Sequence, residues 1–502
     1  MGLAHGALSL NTVRPSRPTL HPSLSPQACA VPLKPRPLLV RRPRRSPRGR
    51  WAAVRQMADE ALGTQRRSDV TLEERLAVAH RRGPGGTVGE LQRKHLLALV
   101  TRRLPRATEF VPRAFVVLPE GAAAALSEFE ELQRDFRISW ALAVVKDAVR
   151  KGVWDPEDIR LMEASQECTR CLDAYSGSDC SSGGSIHNLA WAKHLLHCVR
   201  RNSPELQLGL LHRNWWAIKP VDGAAGKGIQ VIGGLDQDRV HWPMNLAFSG
   251  RASDGFVVQK YVEKPHVLTL NGLRQAAALS DACAVDTPHD SSAAFKYNVR
   301  HWVLVRWCEN AAVWFYELGY IELAASPFTG DTEPITAHVA NLAEHAAGLR
   351  PFQRLWTTAD LQRYIETETG ADAWTACILP ALKRAVAEAV VAARPGGSAG
   401  GSGGAPEETG GRQPWRRFGF DFSLSEDYGV WLIEANHKPG MRAPKGSRGA
   451  AKRQLLERFY ADEQELCGAD MRRLGNGAGP IGAFCRLALP KLEDTERSPH
   501  GS

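Results

Sequence analysis

The chain has 502 residues, 43% of them hydrophobic, with a formal charge of +10 from 64 Lys and Arg against 54 Asp and Glu; that length suffices for two or three packed units with at least one sizeable core. No run of 18 or more apolar residues occurs, which excludes a hydrophobic membrane-spanning helix and makes a soluble protein the expectation. Ten cysteines at irregular spacings, with no hydrophobic secretory stretch at the front, argue against a disulfide framework and fit a reducing compartment, by default the cytosol.

The positive charge is concentrated at the front. No Asp or Glu precedes Asp59, while Arg41, Arg42, Arg44, Arg45, Arg48 and Arg50 stand close together. Such a stretch attracts polyanions, whether nucleic acid, anionic lipid or acidic protein tails, and an acid-free leader of Arg, Ser and Pro also has the composition of an organelle transit peptide. Residues 1–58 lack periodic apolar spacing and cannot bury enough surface to offset chain ordering, so a disordered basic leader is expected, extending as a region to 88.

From 89 to 213 the pattern predicts a smaller mixed α/β region. Leu91, Leu96, Leu97, Leu99 and Val100 have helical spacing, 115–118 is strand-like, 122–132 is helical again, 175–185 reads as a loop, and 188–199 is helix-like. Cys168, Cys171, Cys180, His194, His197 and Cys198 are zinc-ligand types, but no paired Cys-x2-Cys follows, so they read first as loop or core residues.

From Trp215 several short apolar runs behave as buried strands: 216–218, 229–232, 256–259, 301–306, 313–316, 418–422 and 430–434. Helical stretches are predicted at 335–348, 358–368 and 373–393. This mixture predicts an α/β (α+β) enzyme domain over 214–445. A Gly/Ser-rich stretch at 395–414 reads as a surface insertion within it, and 446–502 as a basic tail with Arg448, Lys452 and Arg453.

Four pieces of this domain carry chemistry. Trp215-Trp-Ala-Ile-Lys219-Pro-Val-Asp-Gly-Ala-Ala-Gly-Lys227-Gly-Ile229 is a strand ending in a lysine, then a glycine-bearing turn with a second lysine. Lysines and close-approaching backbone N–H groups in this arrangement grip phosphates, although ordinary turns have the same composition and the spacing is neither a Walker loop nor a dinucleotide fingerprint. Val257-Val-Gln259-Lys260-Tyr261-Val262-Glu263 is an apolar strand running into polar residues, able either to read an adenine edge or to end in solvent. In Phe295-Lys296-Tyr-Asn298-Val-Arg300-His-Trp302 the two-residue period of a strand puts Lys296, Asn298 and Arg300 on one face, where two cations call for an anion or for water. Last, Phe418-Gly-Phe-Asp421-Phe and Val430-Trp-Leu-Ile-Glu434-Ala-Asn436 read as a hairpin that brings Asp421 beside Glu434 and Asn436. Two carboxylates and an amide oxygen suit magnesium that also holds nucleotide phosphates, and an acid in so apolar a strand is costly without a partner.

In this order the pieces resemble the tubulin tyrosine ligase-like family, over roughly 110–444. Phe110-Val-Pro-Arg-Ala-Phe115, Lys296-Tyr-Asn-Val-Arg300-His-Trp302 and His338-Val-Ala-Asn341 are similar to the family's motifs. The Trp-Phe-Tyr stretch at 314–316, the 374–385 helix with Ile378, Pro380 and Lys383, and the interrupted stretch before Asp421 look closest to the glycylase branch. The resemblance implies an ATP-grasp fold with ATP and Mg2+ as cofactors. It further implies that Lys219 and Lys227 hold phosphates, that Gln259, Lys260, Tyr261 and Val262 line the adenine pocket, and that Lys296 sits near the phosphates. His338 and Asn341 would line the phosphate end, Arg300 would steady the acyl-phosphate or acceptor carboxylate, and Asp421, Glu434 and Asn436 would bind the metal.

The activity so implied is activation of a glutamate side chain of a tubulin tail by ATP, then attack by the amine of glycine. Acidic tubulin tails are the expected partner, with no nucleic acid or membrane, in a monomer on cytoplasmic microtubules or the axoneme of a cilium. Alternatives are glutamate as donor, a non-tubulin acceptor, or a catalytically silent microtubule-binding relative. Asn298, Ala340 and Glu322 depart from the family's usual Asp, Thr and basic residue, and Ala225 stands where many relatives have a polar or basic one.

Overall fold

The computed structural model describes residues 70–80, 91, 93–104, 106–119, 122–172, 187–223, 225–233, 255–278, 292–306, 311–340, 356–393, 415–437, 439–443, 449–469 and 479–490. All belong to the compact unit Ser46–Ser502. The expected loop at 175–185, the Gly/Ser-rich stretch 395–414 and most of the basic leader lie outside the described residues.

The first described helices are α1 (Leu72–His80) and α2 (Lys94–Val100). The expectation of a disordered leader through 88 does not hold at α1. Thr71 and Glu74 cap its start reciprocally, with Thr71 N–H donating to Glu74 at 2.8 Å and Glu74 N–H to the Thr71 hydroxyl at 3.3 Å. Leu76 and Ala79 enter the core, and Arg75 reaches Glu128 at 2.6 Å and Glu131 at 2.5 Å. The basic composition around this segment masked a short helix whose apolar face and single arginine both have buried partners.

Next come β1 (Ala114–Val117) and helices α3 (Ala122–Lys151), α4 (Ile159–Leu172) and α5 (Leu189–Asn202). Helix α3 runs well past the predicted 132, since nothing breaks it before Gly152, whose φ of 70° ends it in the left-handed region. Asn188 caps α5 by accepting from Trp191 N–H at 2.9 Å. The three helices share a core of Ala141, Leu142, Val145, Ala164 and Leu195. Cys168 is buried in it, and His194 meets Cys198 at 3.4 Å on the surface of α5.

Strands β2 (Trp216–Pro220), β3 (Gln230–Ile232) and β4 (Phe256–Lys260) follow. They join β1 in a four-stranded antiparallel sheet of order β1-β4-β2-β3, with Ala114 opposite Gln259 and Ala217 also opposite Gln259. This sheet therefore crosses the domain boundary expected at 213/214.

The remaining elements are β5 (Val267–Thr269), α6 (Leu270–Ala278), β6 (Ala294–Arg306), β7 (Ala312–Tyr316), β8 (Tyr320–Leu323), β9 (Trp356–Thr357) and α7 (Thr358–Thr369). A π-turn (Trp374–Ile378) leads into α8 (Leu379–Ala392), where Pro380 lacks the N–H that a regular α-turn would use. Strands β10 (Arg416–Leu424) and β11 (Val430–Asn436), helix α9 (Ala450–Gly468) and β12 (Phe484–Arg486) complete the chain. Of the helix predicted over 335–348, a single 3-10 turn (Ile335–Ala337) is described, and 341–350 lie outside.

The second sheet has eight strands around the path β11-β10-β6-β7-β12, and its pairings are antiparallel. Antiparallel pairing with helices against the sheet faces makes the described fold α+β. Strand β6 organises it by alternation: Tyr297, Val299, Val303 and Val305 lie in the core that also holds residues of α8, while Trp302 and Leu304 turn to the other face, where Trp302 meets Phe459 of α9. Helix α9 is thus part of the fold, which corrects the expected tail from 446. Among the described residues no helix is long and apolar enough to cross a membrane.

Candidate active site

A cavity lies where β2 and β4 of the small sheet face β6, β10 and β11 of the large one. Lys219, Gln259, Lys260, Tyr261, Val262, Lys296, His338, Asp421 and Glu434 border it, together with the apolar side chains of Ala217, Val231 and Ile433. Nine of the thirteen residues singled out from the sequence therefore meet at one place. Arg300 and Asn436 adjoin it through Asp421. Lys227 does not meet them: it is exposed on the turn after β2. Asn341 lies outside the described residues.

The small-sheet wall follows from local sequence. Lys219 is near the end of β2, is buried, and donates to the Gln259 side chain at 2.5 Å. The following turn uses the left-handed region at Gly226 and Gly228, with φ of 72° and 74°. A side chain at 228 would also strike Pro220 at 2.9 Å. Lys260 borders the cavity, yet its ammonium is tied to Glu263 and donates to the Trp215 carbonyl at 2.8 Å. Glu263 also accepts from the backbone N–H of His212 at 2.9 Å and of Trp215 at 2.6 Å, so this buried pair braces the entry to β2. Tyr261 shares a hydrogen bond of 2.8 Å with His338 Nδ1. Lys296 reaches both from the opposite wall, 4.5 Å over the Tyr261 ring and 3.1 Å from the His338 carbonyl oxygen.

The large-sheet wall is set by register. Asp421 is opposite Glu434 in the β10–β11 pairing and opposite Arg300 in the β10–β6 pairing, which places the three groups in a row. The Arg300 guanidinium grips both oxygens of Asp421. Gly419 makes room for this, because a Cβ there would sit 3.0 Å from Arg300 Cδ and 2.8 Å from Pro439 Cβ. The Asn436 amide donates to Asp421 at 3.2 Å and to Glu434 at 2.9 Å.

A further lysine reaches this place from far upstream. Lys94, at the start of α2, donates to the Gly223 carbonyl in the turn after β2, and its charge acts on Glu434 and Lys219. Nothing in the sequence around Lys94 marks it. Its position at the first turn of a short helix is intelligible only once α2 and the turn after β2 are seen side by side.

Burial and charge set the titration of these groups. Burial brings Lys219 down to about 8, against the pull of Glu434 and with a further push from Lys94. Burial and the nearby Lys219 bring Lys296 down to about 7. Burial likewise lowers His338 to about 4, with Lys296 adding to the effect. At Glu434 burial opposes ionisation, but Lys94, Lys219 and the Asn436 and Asp421 hydrogen bonds outweigh it and hold the carboxyl at about 2. Burial pushes the Asp421 carboxyl up, against the pull of the Arg300 guanidinium. The cavity thus brings Lys219 from the small sheet and Lys296 from the large one to the Asp421–Glu434 pair.

Among the described residues no group of three or more His, Cys, Asp or Glu could by itself hold a metal ion. Asp421 and Glu434 are instead a pair of hard oxygen donors whose charges are satisfied by Arg300, Asn436 and nearby lysines. That donor set fits magnesium, which binds through one or two carboxylates plus substrate phosphates and water, better than an all-protein cage.

A model of the tubulin-tyrosine ligase family matches residues 192–461, more than half of the chain. Protein monoglycylase TTLL8 of Mus musculus is 26% identical over 310 residues, which is 58% of this chain and 32% of that protein. Tubulin glycylase 3A of Drosophila melanogaster is 23% identical over 49% of this chain and 22% of its own length. Tubulin monoglycylase TTLL3 of Mus musculus is 25% identical over 46% and 22%. The chain spans a third or less of the length of each of these relatives.

Proposed function

The chain belongs to the tubulin-tyrosine ligase family, and on that premise we propose that it is an ATP-dependent ligase of ATP-grasp fold, forming carbon–nitrogen bonds, that joins glycine to glutamate side chains of tubulin tails. The observation that carries this reading is the meeting of two buried lysines, Lys219 and Lys296, with the Asp421–Glu434 carboxylates in one cavity.

In this reading Lys219 and Lys296 neutralise the phosphates, and Lys94 keeps the turn after β2 against them. The backbone of 259–262, with the side chains of Tyr261 and Val262, takes the adenine, between apolar walls. Asp421, Glu434 and Asn436 would hold magnesium. ATP with magnesium supplies the phosphoryl group that activates an acceptor carboxylate. Arg300, fixed in orientation by Asp421, steadies that carboxylate. Catalysis then rests on positioning and on charge complementarity, not on a protein nucleophile. Glycine is favoured as donor by the relatives' names, and tubulin by the same argument.

A second reading, a catalytically silent relative that still binds microtubules, draws support from Asn298 and Glu322. The two readings separate on incubating the purified chain with microtubules, ATP, magnesium and, in separate reactions, labelled glycine, glutamate or tyrosine. Incorporation of glycine is expected, and Glu434→Gln is expected to abolish it while leaving microtubule binding intact. Absence of any incorporation by the parent chain would favour the silent relative, and full activity in Glu434→Gln would remove that residue from the metal site.

A further inference from the structure

Arg417, Gly419 and Asp421 alternate along β10 and share one face, opposite Leu304, Trp302 and Arg300 of β6. It is the face on which Trp302 meets Phe459 of α9. A groove of about 1010 Å³ lies there, bordered by Trp415, Arg416 and Arg417, by Pro439 and Met441 after β11, and by Tyr460 and Glu463 of α9. Arg417 is two alternations from Asp421, about 13 Å along the strand. On the other side His437, which directly follows Asn436 of the candidate site, also borders the groove. Pro439 sits between the two places, since a Cβ on Gly419 would come within 2.8 Å of Pro439 Cβ and 3.0 Å of Arg300 Cδ. Tyr460 is 40% exposed, one of three exposed large hydrophobic side chains among the described residues. Arg417 fixes it as a ledge, lying 5.5 Å over its ring while gripping both oxygens of Glu463. Glu463, the one carboxylate on this border among the described residues, is thereby neutralised. Arg416 on the border and Arg442 next to Met441 are exposed, and neither has an ion-pair partner among the described residues, so the groove is left positive.

We propose that this groove seats the acceptor polypeptide as an extended acidic segment, with Arg416 and Tyr460 as its affinity determinants. The role as acceptor rests on the ligase reading above; the affinity for an acidic peptide does not. An uncommitted guanidinium beside a rigid aromatic ledge suits carboxylates on an extended backbone: the cation draws the acids, and the ring takes backbone and methylene groups. The space exceeds what a single amino acid fills. Two exposed cations are too few to follow the phosphates of a nucleic acid, which calls for a longer series of them. Position adds to the case, because a peptide lying over Arg417 needs only about four further residues of extended chain to bring a side chain to Arg300.

The probe is a fluorescein-labelled peptide of glutamate and glycine residues, titrated into the full chain without ATP and followed by fluorescence anisotropy. Arg416→Glu and Tyr460→Ala, both at exposed positions, are each expected to weaken its binding about fivefold, with the melting temperature and the affinity for an ATP analogue unchanged. The same peptide with glutamines in place of glutamates is expected to bind the parent chain roughly tenfold more weakly. In turnover both variants are expected to raise KM for the peptide acceptor and to leave kcat unchanged. Equal binding of the glutamate peptide by the parent chain and both variants would overturn the groove, as would equal binding of the two peptides or no binding by the parent chain. If peptide binding behaves as expected while the parent chain incorporates no amino acid, the ligase reading falls and the groove stands. If incorporation proceeds and both variants keep the parent KM, the groove falls and the ligase reading stands.

Discussion

Replacing Asp421 by Asn keeps the size of the side chain and removes its charge, and the structure says what that leaves behind. Arg300 is buried, and apart from the Asp421 carboxylate its guanidinium has the Tyr320 hydroxyl at 3.4 Å, a weak contact, and feels the charge of Glu322. A buried cation deprived of its counter-ion destabilises a fold by roughly 3–5 kcal/mol, most of it the uncompensated desolvation of the charge that remains. For a chain of this size that corresponds to a fall in melting temperature of the order of 5–10 °C. Differential scanning calorimetry on nucleotide-free protein measures it without reference to activity. The double variant Arg300→Gln/Asp421→Asn removes the stranded charge as well, so it is expected to recover at least half of the loss. Two results would refute the reasoning: an Asp421→Asn chain as stable as the parent within about 1 kcal/mol, or a double variant no more stable than the single one.

Lys219→Ala is expected to weaken ATP binding by roughly tenfold or more, whereas Lys227→Ala, on the exposed turn, should change it by less than about threefold; equilibrium binding of a fluorescent ATP analogue tests both. Acid sensitivity has an identifiable contributor in His301, fully buried against β7 with Nδ1 3.0 Å from the Tyr316 carbonyl oxygen, where burial lowers the imidazole from 6.5 to about 4. The unfolded chain takes up a proton near 6.5 that the folded chain refuses until about 4. Stability therefore declines as pH falls through that window, by up to about 3 kcal/mol from this residue, and is unaffected by it above the window. Denaturant titrations between pH 7 and 4 should show a shallower decline in His301→Gln.

Much of this site was legible because strands advertise themselves by alternation. Lys296, Asn298 and Arg300 share a face for the same reason that Tyr297 and Val299 share the opposite one, and the Asp421–Glu434 pairing follows from a hairpin with short, apolar arms. What remained hidden had no local signature. Lys94 acts on the cavity through a contact with Gly223, well over a hundred residues away, and an isolated lysine at a helix start looks like any other. Lys260 illustrates the converse: its motif points to the nucleotide, and its ammonium is spent on Glu263. Strands β5, β9 and β12 are two or three residues long, too short for any period to show. Helix α9 did carry a helical spacing in Leu455, Leu456, Phe459 and Leu466, but its charged remainder resembled a solvated tail until its partner on β6 was known. At α1 the flanking arginines and prolines outweighed a nine-residue helix.

The seating of α9 has a practical side. Phe459 lies against Trp302, Tyr316 and Phe484 at ring separations of 4.9, 5.0 and 5.4 Å, and β12 covers the open edge of β7. A chain shortened to end near 445, where the catalytic motifs run out, would present a wide aromatic surface and a bare strand edge to solvent, both of which invite self-association. Insolubility of such a shortened protein would therefore reflect a missing structural lid and would carry no information about whether the candidate cleft is sound.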